Sequence, residues 1–346
     1  MRNLNRTIYL TFLIAFLFTG CKKDSNKAVT GPYLYLAGQN EDGNSPLGAT
    51  YWKSSLSLKT GNFTSQVIAN WPRIYSISTE GTDFYAATQT NGYWKNNVFI
   101  PVTGSSSIYL ITVSGNDVYT AGTDSLKYIA YWKNNTETRL TQTLTFGDGN
   151  ISQAINSIAL LGSNVLLSGT LLNQSDGPPT GLYYKSALLW TNNSLQYLAK
   201  GTYLLSPDYT STIGIAVSGN DVYVLGTAPD GTQAGGYWKN GVWNAINNGA
   251  FVPTAIKAVG ADVYITGYIQ RSPTVAEQEG YYWKNGTLTS VPNSETATNI
   301  AINGSDVYVL GIADFTENNT VWKNGTVYAT IGNVNFKAIT QMAIGN

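Results

Sequence analysis

The stretch Asp221-Val222-Tyr223-Val224-Leu225-Gly226, followed by Tyr237-Trp238-Lys239-Asn240-Gly241, decides the fold because it is one copy of a recurring unit. Its first half is rich in β-branched and aromatic residues and alternates as a strand with two packed faces does. Its second half ends in Asn-Gly, a pair that tolerates positive φ at both positions of a tight hairpin turn. The first half returns as Tyr33-Leu34-Tyr35-Leu36-Ala37-Gly38, Asp83-Phe84-Tyr85-Ala86-Ala87 and Asp117-Val118-Tyr119-Thr120-Ala121-Gly122. It appears again as Asn164-Val165-Leu166-Leu167-Ser168-Gly169, Asp262-Val263-Tyr264-Ile265-Thr266-Gly267 and Asp306-Val307-Tyr308-Val309-Leu310-Gly311. The second half is marked by tryptophans at 52, 94, 132, 190, 238, 283 and 322, with gaps of 42, 38, 58, 48, 45 and 39 residues. Seven of the nine Trp therefore stand in register.

Within a unit the chain reads as four short strands. In the fifth unit these are Ile213 to Val217, Val222 to Gly226, Gly236 to Lys239 and Val242 to Ile246. Four strands in about 40–45 residues, repeated, is the pattern of a β-propeller blade. A blade cannot cover both of its faces alone, so the Trp at one fixed site is expected between blades, as core. The repeated Asp residues are expected to cap turns through their own backbone amides. The first unit, from Tyr33, begins at a second strand, and Ala338 to Asn346 reads as a first strand with its turn. The expected fold is all-β, a seven-bladed β-propeller of four-stranded blades, closed by the C-terminal strand completing the N-terminal blade.

Composition narrows the function classes. With 12% charged residues and a formal net charge of zero, no basic run exists to track a phosphate backbone, and nucleic acid is not an expected partner. The absence of histidine removes the commonest general base and the commonest transition-metal ligand. One cysteine, Cys21, cannot form an intramolecular disulfide or a multi-cysteine zinc site. No catalytic residues, metal ligands or cofactor are assigned from the sequence, and the protein is expected to be a monomer.

The N-terminus reads as an address. Arg2 and Arg6 precede an apolar run from Ile8 to Phe18 that is too short to span a bilayer. A positive start, a short apolar core and small residues before a break describe a secretory signal. The break, Phe18-Thr19-Gly20-Cys21, resembles the lipobox of bacterial lipoproteins, although Leu is commoner where Phe18 stands. That resemblance implies lipidation of Cys21, palmitate included, and its role as first residue of the mature chain. Several acyl chains on one residue give stable attachment, at about 0.8 kcal/mol per buried methylene. The expected organisation is 1–20 signal peptide, 21–31 lipidated Cys and polar tether, and 32–346 a single propeller. The expected location is the bacterial cell envelope, lipid-anchored in the outer membrane and facing either the periplasm or the surface.

Strand order puts two kinds of connection on opposite faces of such a ring. First-to-second and third-to-fourth turns are short and uniform, whereas second-to-third and fourth-to-first connections vary in length and composition. Variable loops on a rigid scaffold are where binding usually resides. The candidate ligand-binding residues on that face are Trp71, Phe146, Tyr184, Tyr203, Tyr209, Phe251, Tyr268 and Arg271. This aromatic, Asn/Thr-rich and nearly uncharged rim suits a glycan or a protein partner.

As a whole, 31–346 resembles extracytoplasmic bacterial propellers built on repeats ending in Trp-Lys-Asn-Gly, and is distantly like Kelch and WD-type propellers in layout. It lacks their Gly-Gly and Trp-Asp signatures. The resemblance implies architecture and not activity. Three functional readings stay open: a lipid-anchored binding protein for a glycan or envelope protein, a polysaccharide hydrolase or lyase using loop carboxylates, and an architectural envelope protein. The hydrolase reading predicts two carboxylates within about 5–10 Å in the central funnel.

Overall fold

The structure is a computed structural model that describes residues 31–40, 48–69, 73–140, 152–174, 183–200, 210–228, 235–246, 251–271, 278–333 and 337–346. Cys21 and the N-terminal address lie outside the described residues. Gly31–Asn346 forms one compact unit. It consists of seven antiparallel sheets of four strands each, and among the described residues every regular element is a strand.

Blades two to seven are each built from four consecutive strands. Blade one instead takes its innermost strand, Lys337–Gly345, from the far end of the sequence and pairs it with Tyr33–Asn40. That strand also contacts the innermost strands on either side, Ser294–Asn303 of blade seven and Ser76–Glu80 of blade two, so the ring is closed. In the fifth blade the strands are Thr212–Ser218, Asp221–Thr227, Gly235–Lys239 and Val242–Ala245, within a residue of the boundaries read from the repeat.

The core is seven separate layers, one between each pair of neighbouring blades. In each layer the repeat Trp of one blade meets the repeat Tyr of the blade before it. Tyr35 shares a layer with Trp94, Tyr85 with Trp132 and Tyr119 with Trp190. Tyr223 does so with Trp283 and Tyr264 with Trp322. The degenerate fourth copy offers Leu166 to Trp238 in place of a tyrosine. The closing layer sets Tyr308 of the last blade against Trp52 of the first, together with Ile339 and Met342 from the C-terminal strand. Each large ring removed from water contributes about 2–3 kcal/mol, so the repeated aromatics are the principal cement of the ring.

The glycine that ends the first half of the repeat has a steric cause. Opposite it the innermost strand carries a β-bulge in six of the seven blades, at Tyr109, Asn156, Ile213, Thr254, Thr298 and Thr340. The bulge drives a carbonyl into the space a side chain would need. A Cβ at Gly122 would lie 1.9 Å from the Ser107 oxygen, and one at Gly311 would lie 2.0 Å from the Thr296 oxygen. Blade two carries Thr88 at this position, and its innermost strand pairs without a bulge. Glycine and bulge therefore travel together, as expected for a bulge that brings backbone close.

The uniform face corrects one expectation. The repeated Asp residues do not cap turns through their own amides. Instead Asp83, Asp117, Asp221, Asp262 and Asp306 each accept from the Lys of the Trp-Lys-Asn segment in the same blade, at 2.7–2.8 Å. Each also accepts from the adjacent Asn side chain, at 2.6–2.8 Å. That Asn in turn accepts the backbone N–H after the Asp, as Val222 donates to Asn240 at 2.9 Å. The turn geometry itself is as read: φ is +50° at Asn240 and +84° at Gly241. The Asp–Lys–Asn lock ties the second strand to the third and to its hairpin. Its residues are structural, though through different partners than expected.

Candidate functional site

Within its own sheet each innermost strand pairs on one side only, and together these strands wall a central channel of about 600 Å³. That is the size of a small-molecule site, typically some 300–1,000 Å³. Successive residues of these strands form layers down the channel. The layer nearest the variable connections is the bulge layer, and its polar members stitch neighbouring blades together. Asn156 donates to Thr212 Oγ1 at 3.0 Å, and Thr254 donates to the Ala297 carbonyl at 2.6 Å. One residue further on, Asn299 donates to the Thr340 carbonyl at 3.1 Å. Below this come Ile77, Ile111, Ile158, Ile215, Ile256, Ile300 and Met342, an apolar belt fixed by pairing with the second strands.

The next layer is where the copies differ. The residue paired with the repeat Tyr (Leu166 in the fourth copy) is Ser78, Thr112, Ala159, Ala216, Lys257, Ala301 and Ala343 in blades two to seven and one. Six are small and one is a long cation. Lys257 is the one charged residue among those lining the channel. Its side chain is exposed to channel solvent, and the partial desolvation that the enclosing ring imposes pushes its pKa below the ordinary lysine value. None of the described carboxylates pairs with it. It stands two residues before the end of its strand, Phe251–Val259, and so nearer the uniform face.

Of the candidate residues on the variable face, Trp71, Phe146, Tyr203 and Tyr209 lie outside the described residues. Tyr184 lies in the strand Tyr183–Thr191, paired with Asn173, and its side chain is likewise outside. Phe251 is a correction. It is 1% exposed and packs in the layer between blades five and six, where its ring fills the space Gly267 leaves. A side chain so placed is core and not rim. Tyr268 is half-buried in the second strand of blade six, opposite Gly280. Arg271, just beyond that strand, is exposed and donates to Glu279 at 2.8 Å. Glu279 also accepts from Tyr281 at 2.6 Å and Ser290 at 2.8 Å. The Tyr281 hydroxyl, desolvation aside, holds the Glu279 carboxyl below its usual range. Tyr268 and Arg271 are thus brought to one blade, with Arg271 held in place by a carboxylate.

Another carboxylate on this face is also structural. Asp124 is fully buried and accepts from the Leu126 and Tyr128 amides and from Arg139 Nε at 2.7 Å. Among the described residues no carboxylate lines the channel, and no group of three or more acidic or cysteine side chains is placed to hold a metal. A carboxylate pair of the kind glycoside hydrolysis needs is therefore not formed in the described channel wall.

No protein-family model matches the chain, and comparison with curated proteins finds no match. Solved structures do match. The β-propeller domain of the Trilobed protease from Pyrococcus furiosus aligns over 88% of this chain and 98% of that one, at 10% identity and a TM-score of 0.57. The likeness is one of fold. An acylaminoacyl peptidase from Pyrococcus horikoshii aligns over 88% of this chain, at 10% identity and a TM-score of 0.53. This chain spans about half of that peptidase, 51% of its length. The Pyrococcus furiosus domain is described as having an open velcro topology, whereas here the C-terminal strand pairs into the first blade.

Proposed function

We propose that this protein is a binding module of the bacterial cell envelope, anchored through acyl chains on Cys21, that takes a glycan or protein partner at the variable-connection face and channel of its propeller. The observation that carries the reading is the division of labour within the ring. The Tyr–Trp layers recur between the blades and the Asp–Lys–Asn lock recurs in five of them, so they serve the scaffold. What varies from copy to copy is the connecting loops and the channel wall. The polar channel, with no carboxylate on its described wall, favours binding over hydrolysis. The fold supports this reading only as a scaffold, since propellers host many functions.

Two measurements test it. Cys21→Ala is expected to release the protein from the membrane fraction and abolish palmitate labelling. Glycan arrays and envelope pulldowns with the purified protein are expected to yield a partner, retained by the ring and lost when the variable connections are shortened. Empty results in both would overturn the reading.

A further inference from the structure

We propose that the central channel is a site for a small polyhydroxy carboxylate of the uronic-acid class, with its carboxylate at Lys257 and its hydroxyls at Ser78 and Thr112. This rests on the binding reading above and names a ligand class for the channel itself.

The argument starts from the layer that contains Lys257. In a ring of seven, blade six lies across the channel from the gap between blades two and three. Those two blades supply the only hydroxyls of the layer, Ser78 and Thr112. Both line the channel and neither side chain makes a hydrogen bond within the protein, unlike the stitched polar groups of the bulge layer. The remaining four members are alanines, of which Ala301 and Ala343 also line the channel, so no other large side chain stands in the layer. One face of the channel therefore offers a cation and the opposite face offers free hydroxyls.

Nothing in the fold calls for an unpaired ammonium at this place in the ring: alanine serves the same position in four other copies. A bound anion would supply the missing partner. A single point charge matches a monoanion, whereas a phosphate of roughly twice the charge is normally met by several donors or by a bidentate Arg. Unpaired hydroxyls opposite the charge match the hydroxyls of a sugar ring. Gln341, which also lines the channel without a protein partner, adds an amide of the kind sugar sites use.

The test uses the purified full-length protein and titration calorimetry with D-glucuronate, D-glucose, acetate and inorganic phosphate. Glucuronate is expected to bind about tenfold or more tightly than glucose, which lacks the charge, and than acetate, which lacks the hydroxyls. Lys257→Ala, a change to the residue that four other blades carry, is expected to leave the melting temperature within a few degrees and to lose that tenfold preference. Ser78→Ala with Thr112→Val should weaken glucuronate while leaving acetate unchanged. The proposal is overturned if glucuronate does not bind, if Lys257→Ala binds it equally well, or if phosphate binds better than glucuronate. A partner captured at the variable face that Lys257→Ala still holds would leave the general binding reading standing while these channel results decide the site.

Discussion

Removing residues 335–346 should abolish the fold of the ring and not merely fray its end. The deleted strand buries Ile339 and Met342 in the layer that holds Leu34, Leu36, Trp52 and Tyr308. Burial of the two side chains contributes about 3–6 kcal/mol, taking 1.5–3 kcal/mol for each. The ladder to Tyr33–Asn40 adds backbone bonds at roughly 1 kcal/mol net apiece, across pairs running from Tyr33↔Gly345 to Asn40↔Lys337. Two contacts to the neighbouring blades go as well, Thr79 to the Ile344 carbonyl at 2.8 Å and Asn299 to the Thr340 carbonyl. The sum reaches about 10 kcal/mol, the same size as the whole stability of an ordinary domain, about 5–15 kcal/mol. The truncated chain is therefore expected to show no cooperative melting by near-ultraviolet circular dichroism and to expose its tryptophans by fluorescence. A synthetic peptide of residues 335–346 added in trans should restore both signals. A truncated protein that melts at the wild-type temperature would refute the closure argument, because the ring would then not depend on the strand that completes blade one.

Further outcomes follow from the fold. Gly311→Ala is expected to cost about 1–3 kcal/mol in chemical denaturation, since its Cβ would meet the Thr296 carbonyl oxygen at 2.0 Å. Gly214→Ala, where the methyl meets Ile256 at an ordinary 3.5 Å, should change stability by about 0.5 kcal/mol or less. Asp124→Ala should cost about 2–3 kcal/mol, because it strips a buried acceptor from Arg139 and two amides, with the half-exposed Arg139 moderating the loss; an unchanged denaturation midpoint would contradict this. The pH profile should be lopsided. The Lys hydrogen bond first, and the Asn bond after it, hold the Asp83, Asp117, Asp221, Asp262 and Asp306 carboxyls below their ordinary value of 3.8. Their contribution is present above that value and is lost as pH falls through the lowered one, so melting temperature should hold to about pH 5 and decline below about pH 4. The lysine partners are raised above 10.5 by the same bonds, so on that side their contribution persists until pH passes the ordinary lysine range. Replacing Asp117, Asp221 and Asp262 together by Asn should flatten the acid decline, as seen in melting curves against pH.

The scaffold was legible in the sequence to a high degree, because a repeat states each packing requirement several times. The Trp spacing gave the blade count, Asn-Gly gave the hairpins, and the missing first strand of unit one gave the closure. The partners of the repeated Asp are not readable from the sequence, because the Lys that holds each one is close only after the second and third strands pair. Phe251 reads as rim in the sequence because it follows a variable connection. Its burial depends on the hole left by Gly267, a fact of packing and not of pattern. The channel residue Lys257 carried a signal in the sequence that only register makes readable. Aligned by its pairing with Tyr264, it replaces the Ala, Ser or Thr of the other copies.

The sequence by itself thus determined the number of blades, the identity of the inter-blade aromatics and the location of the turns, since these follow from short-range periodicity and local backbone chemistry. Tertiary structure alone decided which side chains face the channel, which acids are locked to lysines, and which side of the ring confronts the lone ammonium. The locks form once the second and third strands of a blade pair, whereas the channel relations join residues distant in the chain and exist only once the last strand has closed the ring.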